Sequence, residues 1–181
     1  SLIAQSVKPK AISAVGDIAS AMGAQFAVNP QLLGTVMPIL LQAAQVVSRP
    51  PSDLDDWEQV DFLVEMRMSL VEAFTCIIQG ASENHQALSD LSSSIPVILS
   101  FIKSIVSLSN IDAEVMLCDS LIKAVIGILG DTASAYGSTP IAAQLKEPWV
   151  AAFISGQRRR RNLPDHMDQV LRWASGHLNR I

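Results

Sequence analysis

The 181-residue sequence contains no GxSxG, glycine-rich phosphate loop, HExxH or EF-hand loop, the patterns that bring a nucleophile, a phosphate or a metal ion to one place. Its three histidines supply no substitute. His85 lies in a polar stretch, and His166 and His177 stand eleven residues apart, not at the i, i+4 spacing of a helical metal pair. Cysteine is equally scarce. Cys76 and Cys118 have no CxxC or Cys/His spacing, which argues against a disulfide framework or zinc site and for a reducing compartment. Both thiols are expected inside helices, as structural residues. Aromatics make up 5%, and the dominance of Ala, Leu, Ile, Val and Ser suits closely packed helices more than strands. Apolar runs are interrupted by Lys, Asp, Gln or Ser, so no membrane span is expected, and the first residues lack the charged-then-apolar order of a signal peptide. A net charge of −4 is wrong for a general nucleic-acid binder, which needs cations to displace counterions from phosphate. The expectation is an intracellular, soluble interaction protein with no cofactor or metal, for which a basic partner is easiest to accommodate.

Hydrophobic residues make up 49% of the chain, enough for a core in a chain of this size, and they are organised as a repeat. KAISAVGDIASAMG (Lys10 to Gly23), RMSLVEAFTCIIQG (Arg67 to Gly80) and AVIGILGDTASAYG (Ala124 to Gly137) each end on glycine. The interval between successive terminal glycines is 57 residues both times, and the first and third segments share G-D-x-A-S-A-x-G. Apolar positions three and four residues apart predict helices, and the closing glycines are expected as left-handed residues just past helix ends. Second helices are predicted from Gln31 to Val47, Ile95 to Leu108 and Glu147 to Gln157, with Pro30, Pro96 and Pro148 near their first turns, where a missing N–H costs nothing. A further helix from Asp165 to Arg180 has no visible partner. The expected units are residues 1–47, 57–108 and 112–157, followed by a terminal helix at 164–181. Polar linkers make this repeat longer than the usual period of about 40–47 residues.

Helical geometry assigns the faces. Between Glu58 and Gln79, residues Leu63, Leu70, Phe74 and Ile77 gather on one side, and Glu58, Asp61, Glu65, Glu72 and Gln79 fall within an arc of about 60° on the other. This acidic stripe is either a solvated face or a docking strip for a basic partner. Arg67 falls in the apolar half, where an unpaired guanidinium would carry a cost of several kcal/mol. Asp17 and Asp131, at equivalent repeat positions, are its expected partners in an inter-repeat ladder. In the last helix, Trp173 lies about 110° from the apolar centre, on the flank of His166 and His177. It either edges the core or is exposed to stack on a cationic side chain. The run Arg158 to Arg161 is read as a solvated inter-helix linker, because no aromatics interleave with it.

VKPKAISAVGDIASAMG (Val7 to Gly23), VDFLVEMRMSLVEAFTCIIQG (Val60 to Gly80), ILSFI (Ile98 to Ile102), GILGDTASAYG (Gly127 to Gly137) and LRWASGHL (Leu171 to Leu178) resemble consecutive signatures near the C-terminus of the importin β (karyopherin β) family. The resemblance implies an all-α HEAT-repeat α-solenoid, with antiparallel helix pairs in a right-handed superhelical stack. It further implies the last three to four HEAT repeats of a longer nuclear import receptor, the first and third glycine-ended segments being concave-side B helices. In that family the C-terminal repeats wrap the basic importin-β-binding helix of importin α with acidic and tryptophan side chains. Carried over by motif, these are Glu65 and Glu72 in VEMRMSLVEAF, Asp131 in GDTASAYG, Trp173 in LRWA and then Asp17 in GDIASAMG. Cargo bearing a nuclear-localisation signal, the Ran GTPase and phenylalanine-glycine nucleoporins are the other implied partners, and cytoplasm, nucleus and nuclear pore the implied locations. The alternatives are a HEAT scaffold without a transport role, which would show no preference for basic helices, and an enzyme, which would need its cysteines or histidines to converge.

Overall fold

The computed structural model describes residues 2–108, 118–161 and 163–181, and no strand occurs among them. The helices are α1 (Leu2–Met22), α2 (Ala24–Ala27), α3 (Pro30–Val47), α4 (Trp57–Ser82), α5 (His85–Leu91), α6 (Ile95–Leu108), α7 (Asp119–Tyr136), α8 (Ala142–Leu145), α9 (Pro148–Arg158) and α10 (Asp165–Leu178). Local chemistry sets many of their starts. The Asn29 carboxamide oxygen accepts from the N–H groups of Gln31 and Leu32 at 3.1 and 3.2 Å, with Pro30 in the first turn of α3. Asp56 accepts from Gln59 at 3.1 Å and Asn84 from Gln86 at 2.9 Å. Each such cap satisfies a donor that helix geometry leaves without an internal partner, worth about 1 kcal/mol.

Helices α1, α4, α7 and α10 pack side by side in one layer, and α3, α6 and α9 form a second layer across a continuous apolar core. Phe74 of α4 meets Phe101 of α6 edge to face, their ring centroids 6.2 Å apart. The Tyr136 hydroxyl of α7 donates to the Leu88 carbonyl of α5 at 2.9 Å, and burial pushes its pKa up to about 12. These contacts join helices that are far apart in sequence. The architecture is the expected α-solenoid, with one addition: the short helices α2, α5 and α8 intervene within the three successive pairs. The polar stretch from Gly80 to Asp90 is therefore mostly helical, and the long repeat period arises in part from these third helices. The expected start of the third unit, residue 112, lies outside the described residues.

The 57-residue glycine spacing has a different cause from the one expected. Gly23 alone has a positive φ, 53°; Gly80 lies inside α4, and Gly137 follows α7 with φ −60°. Crowding explains the smallness of Gly80 and Gly137, whereas an added Cβ on Gly23 would meet only Glu83 Oε2, at 3.7 Å. A Cβ on Gly16 would lie 3.1 Å from the Ala73 Cα, and one on Gly80 only 2.8 Å from the Gly23 carbonyl oxygen. A Cβ on Gly130 would collide with the Trp173 ring and lie 3.0 Å from the Ala174 Cα, and one on Gly137 would collide with Ile181. Two ranks of equivalent positions result: Gly16, Ala73, Gly130 and Ala174, and Gly23, Gly80, Gly137 and Ile181. Their intervals run 57, 57 and 44 residues, the last of them within the ordinary repeat length of about 40–47.

Among the described residues Arg67 pairs with main-chain carbonyls rather than with Asp17 or Asp131. Its side chain is fully buried, and its Nε and Nη2 donate to the carbonyls of Val47 and Arg49 at 3.0 and 2.9 Å. These carbonyls lie at the C-terminal end of α3, which lacks further helical donors and carries the negative end of its dipole. Asp17 and Asp131 are equivalent to Phe74, seven residues beyond Arg67, which is about 10 Å along the helix. Two other expectations are corrected. Cys118 precedes α7 and is exposed, leaving only Cys76 half-buried inside a helix. And α3, whose interruptions are Gln and Thr rather than charges, is long and apolar enough to cross a membrane by length and composition; here it turns Leu33, Met37, Leu40, Ala44 and Val47 into the shared core.

Candidate functional site

The exposed side of α4, α7 and α10 encloses an open groove of about 590 Å³. Its floor follows α7 from Asp119 to Asp131, twelve residues or about 18 Å of helix. One wall is α4, contributing Glu72, Cys76 and Gln79; the other is α10, contributing His166 and Trp173. The walls follow from sequence periodicity, since residues 72, 76 and 79 recur at helical spacing on the side of α4 opposite Phe74 and Ile77.

Of the residues expected to bind a partner, Glu72, Asp131 and Trp173 line this one groove. Asp17 borders it, exposed on α1, and its charge acts on both Glu72 and Cys76. Glu65 is exposed on α4 but stands outside the groove, seven residues before Glu72. Trp173 unites its two expected placements: the ring lies over Gly130, and 41% of the residue remains open. His177 meets it edge-on at a centroid distance of 5.2 Å. Sequence reasoning did not bring in Lys123 or Asp119 on the floor, or Cys76 in the wall. The i, i+4 spacing of Asp119 and Lys123 was the available signal for the first two.

The electrostatics favour a cation. Burial and then the Asp17 carboxylate raise the pKa of Glu72. Burial likewise raises Asp131, opposed by a hydrogen bond from Gln79 Nε2 at 3.1 Å and by His177. For Cys76, burial raises the pKa, the Ser20 hydrogen bond lowers it, and the charges of Asp17, Glu72 and Asp131 raise it again. The result is a protonated thiol, unsuited to nucleophilic work. Among the described residues no group of three or more His, Cys, Asp or Glu is placed to hold a metal ion.

Raised carboxyl pKa values mean that the folded state binds these protons more tightly than the unfolded chain. The associated stability is present below the unfolded carboxyl pKa and is lost as pH rises through the folded values. Glu72→Gln and Asp131→Asn should therefore raise the melting temperature at pH 7, with the advantage over the parent shrinking as pH falls through the raised pKa values toward 4. Melting curves at pH 4 to 7 provide the check.

Comparison with known proteins agrees with the fold. Residues 1–158 match the family described as Importin subunit beta-1-like, TPR repeats. Importin subunit beta-1 of Schizosaccharomyces pombe is 29% identical over 181 residues, covering 99% of this chain and 19% of that protein. The Arabidopsis thaliana protein of the same name is 35% identical over 134 residues, covering 74% of this chain and 14% of its own length. The chain thus spans less than a fifth of these relatives. Importin beta crystallised in an ammonium sulfate condition superposes with a TM-score of 0.81 at 26% identity, over 96% of this chain and 18% of that one. Yeast importin-beta, Kap95p, gives 0.78 at 23% identity, over 97% and 19%. With the family match running through most of the helical stack, the chain belongs to the importin subunit beta-1-like family.

Proposed function

We propose that this chain is part of a nuclear import receptor and that its groove holds a basic helix, the importin-β-binding helix of importin α. The observation that carries the reading is the presence of Glu72, Asp131 and an open Trp173 around one elongated groove. The carboxylates attract Lys and Arg, the indole offers a face for cation stacking, and the floor is long enough for about three turns of helix. Asp17 extends the acidic surface toward α1, and Glu65 extends it along α4. Electrostatic complementarity of this kind sets encounter rate and specificity.

The same reading gives the chain no enzymatic role and no cofactor. It places the full receptor in the cytoplasm and nucleus and at the pore, carrying cargo with a nuclear-localisation signal past phenylalanine-glycine nucleoporins. Ran enters because Kap95p, a structural neighbour with a TM-score of 0.79, is described as binding RanGDP and inducing its switch loops to adopt the GTP-bound conformation. The units at 1–47, 57–108 and 112–157 and the helix at 164–181 are proposed as consecutive HEAT repeats, α10 opening the fourth.

Titration with a fluorescent basic helical peptide at two salt concentrations tests the proposal. Affinity should fall with added salt, by about tenfold or more on Glu72→Lys, and by about two- to thirtyfold on Trp173→Ala. It should also weaken as the pH is lowered toward the raised pKa values of Glu72 and Asp131, whose protonation discharges the walls. A peptide that binds equally well through all of these changes does not use the groove; absence of any preference for basic helices leaves the scaffold role.

A further inference from the structure

The tetra-arginine run is more than a solvated linker. Arg158 to Arg161 are all exposed and lie between α9, which ends at Arg158, and α10, which supplies the Trp173 wall. Arg160 turns back across the fold. Its Nη2 donates to Asp119 Oδ1 at 2.7 Å, and its Nη1 approaches Gln157 Oε1 at 3.4 Å. Asp119 is a groove-lining carboxylate, at the end of the floor opposite Asp131. The chain therefore anchors its own densest basic segment on the rim of an acidic groove.

We infer that Arg158–Arg161 is a built-in competitor for the groove, occupying Asp119 in the free protein and surrendering it when a basic partner arrives. The inference rests on the proposed basic-helix reading and adds its regulation. Two properties suit the role. Both members of the pair are substantially exposed, Arg160 at 39% and Asp119 at 55%, so the contact is weak enough to exchange. The neighbouring arginines place further positive charge beside the groove, lowering its attraction for any other cation until the linker moves away. A competitor of this strength raises the threshold for weak basic ligands without closing the site.

The test compares the whole chain with Arg160→Gln and with all four arginines replaced by glutamine, using the same fluorescent basic peptide at low salt. Arg160→Gln should tighten binding about two- to fivefold, the range open to an exposed ion pair, and the fourfold variant should tighten it more. On an Asp119→Asn background the Arg160→Gln gain should disappear, because the tether is already gone. The Arg160 guanidinium 15N resonance should move when peptide is added to the parent protein. Peptide that binds the parent but binds the arginine variants no more tightly overturns the competitor. Peptide that binds neither the parent nor the fourfold variant overturns the basic-helix reading itself.

Discussion

Arg67→Ala should lower the unfolding free energy by about 3–5 kcal/mol, the scale for breaking a buried charged contact. Three losses combine. The Val47 and Arg49 carbonyls lose donors at 3.0 and 2.9 Å, and a buried acceptor left unsatisfied costs about 1–3 kcal/mol. The methylene stem of the largest fully buried side chain also disappears, leaving a cavity. Desolvation brings the Arg67 pKa down to about 10, so the group stays charged at neutral pH and the folded state holds its proton less tightly than the unfolded chain. Arg67→Lys should recover only part of the loss, because an ammonium cannot reproduce the forked geometry that reaches two carbonyls. Chemical denaturation of the three proteins checks the order, parent above lysine above alanine. Equal stability of the parent and alanine proteins would show that the end of α3 does not depend on this side chain.

Gly130→Ala should act on stability and the groove together. The new methyl would collide with the Trp173 ring and press to 3.0 Å on the Ala174 Cα, so α7 and α10 must separate or the indole must leave its place. Overpacking of this kind costs about 1–3 kcal/mol, outweighing the gain of up to about 1 kcal/mol from replacing a helical glycine by alanine. Gly127→Ala is the matched control: it lies in the same helix, with nothing within 4 Å of its added Cβ. Denaturation should separate the two, and Trp173 emission should shift in the Gly130 variant alone. Two variants of equal stability would mean that the α7–α10 seam yields without cost.

The helices were legible because their driving force is local and periodic. Ile95 to Leu108 is found with its expected ends, and the wet stripe of α4 remains exposed through Glu58, Asp61, Glu65, Glu72 and Gln79. The glycine interval was also visible, but its meaning was not. A left-handed helix end and a close helix crossing both favour glycine, and only the neighbouring backbone distinguishes them. The fourth member of each rank was hidden because Ala174 and Ile181 satisfy the spacing without repeating the motif. The Val47 and Arg49 carbonyls that Arg67 reaches left no trace in sequence, since main-chain carbonyls have no letter of their own. Among the candidate site residues, Glu72, Asp131 and Trp173 share one groove, a convergence that helical spacing and the order of the motifs made visible in the sequence. Glu65 stands apart from them because a seven-residue step keeps the helix face but shifts the side chain about 10 Å along the axis.

The small residues between the first-layer helices have a mechanical consequence. Where Gly16 meets Ala73, Gly80 meets Gly23 and Gly130 meets Ala174, main chains are already in near contact, and close-packed atoms resist further compression. The second-layer helices touch one another more sparsely. Flexure of the stack therefore has its neutral axis along the glycine-lined row. Curvature should be taken up mainly by spreading or closing α3, α6 and α9, with the α1–α4 and α7–α10 spacings nearly preserved.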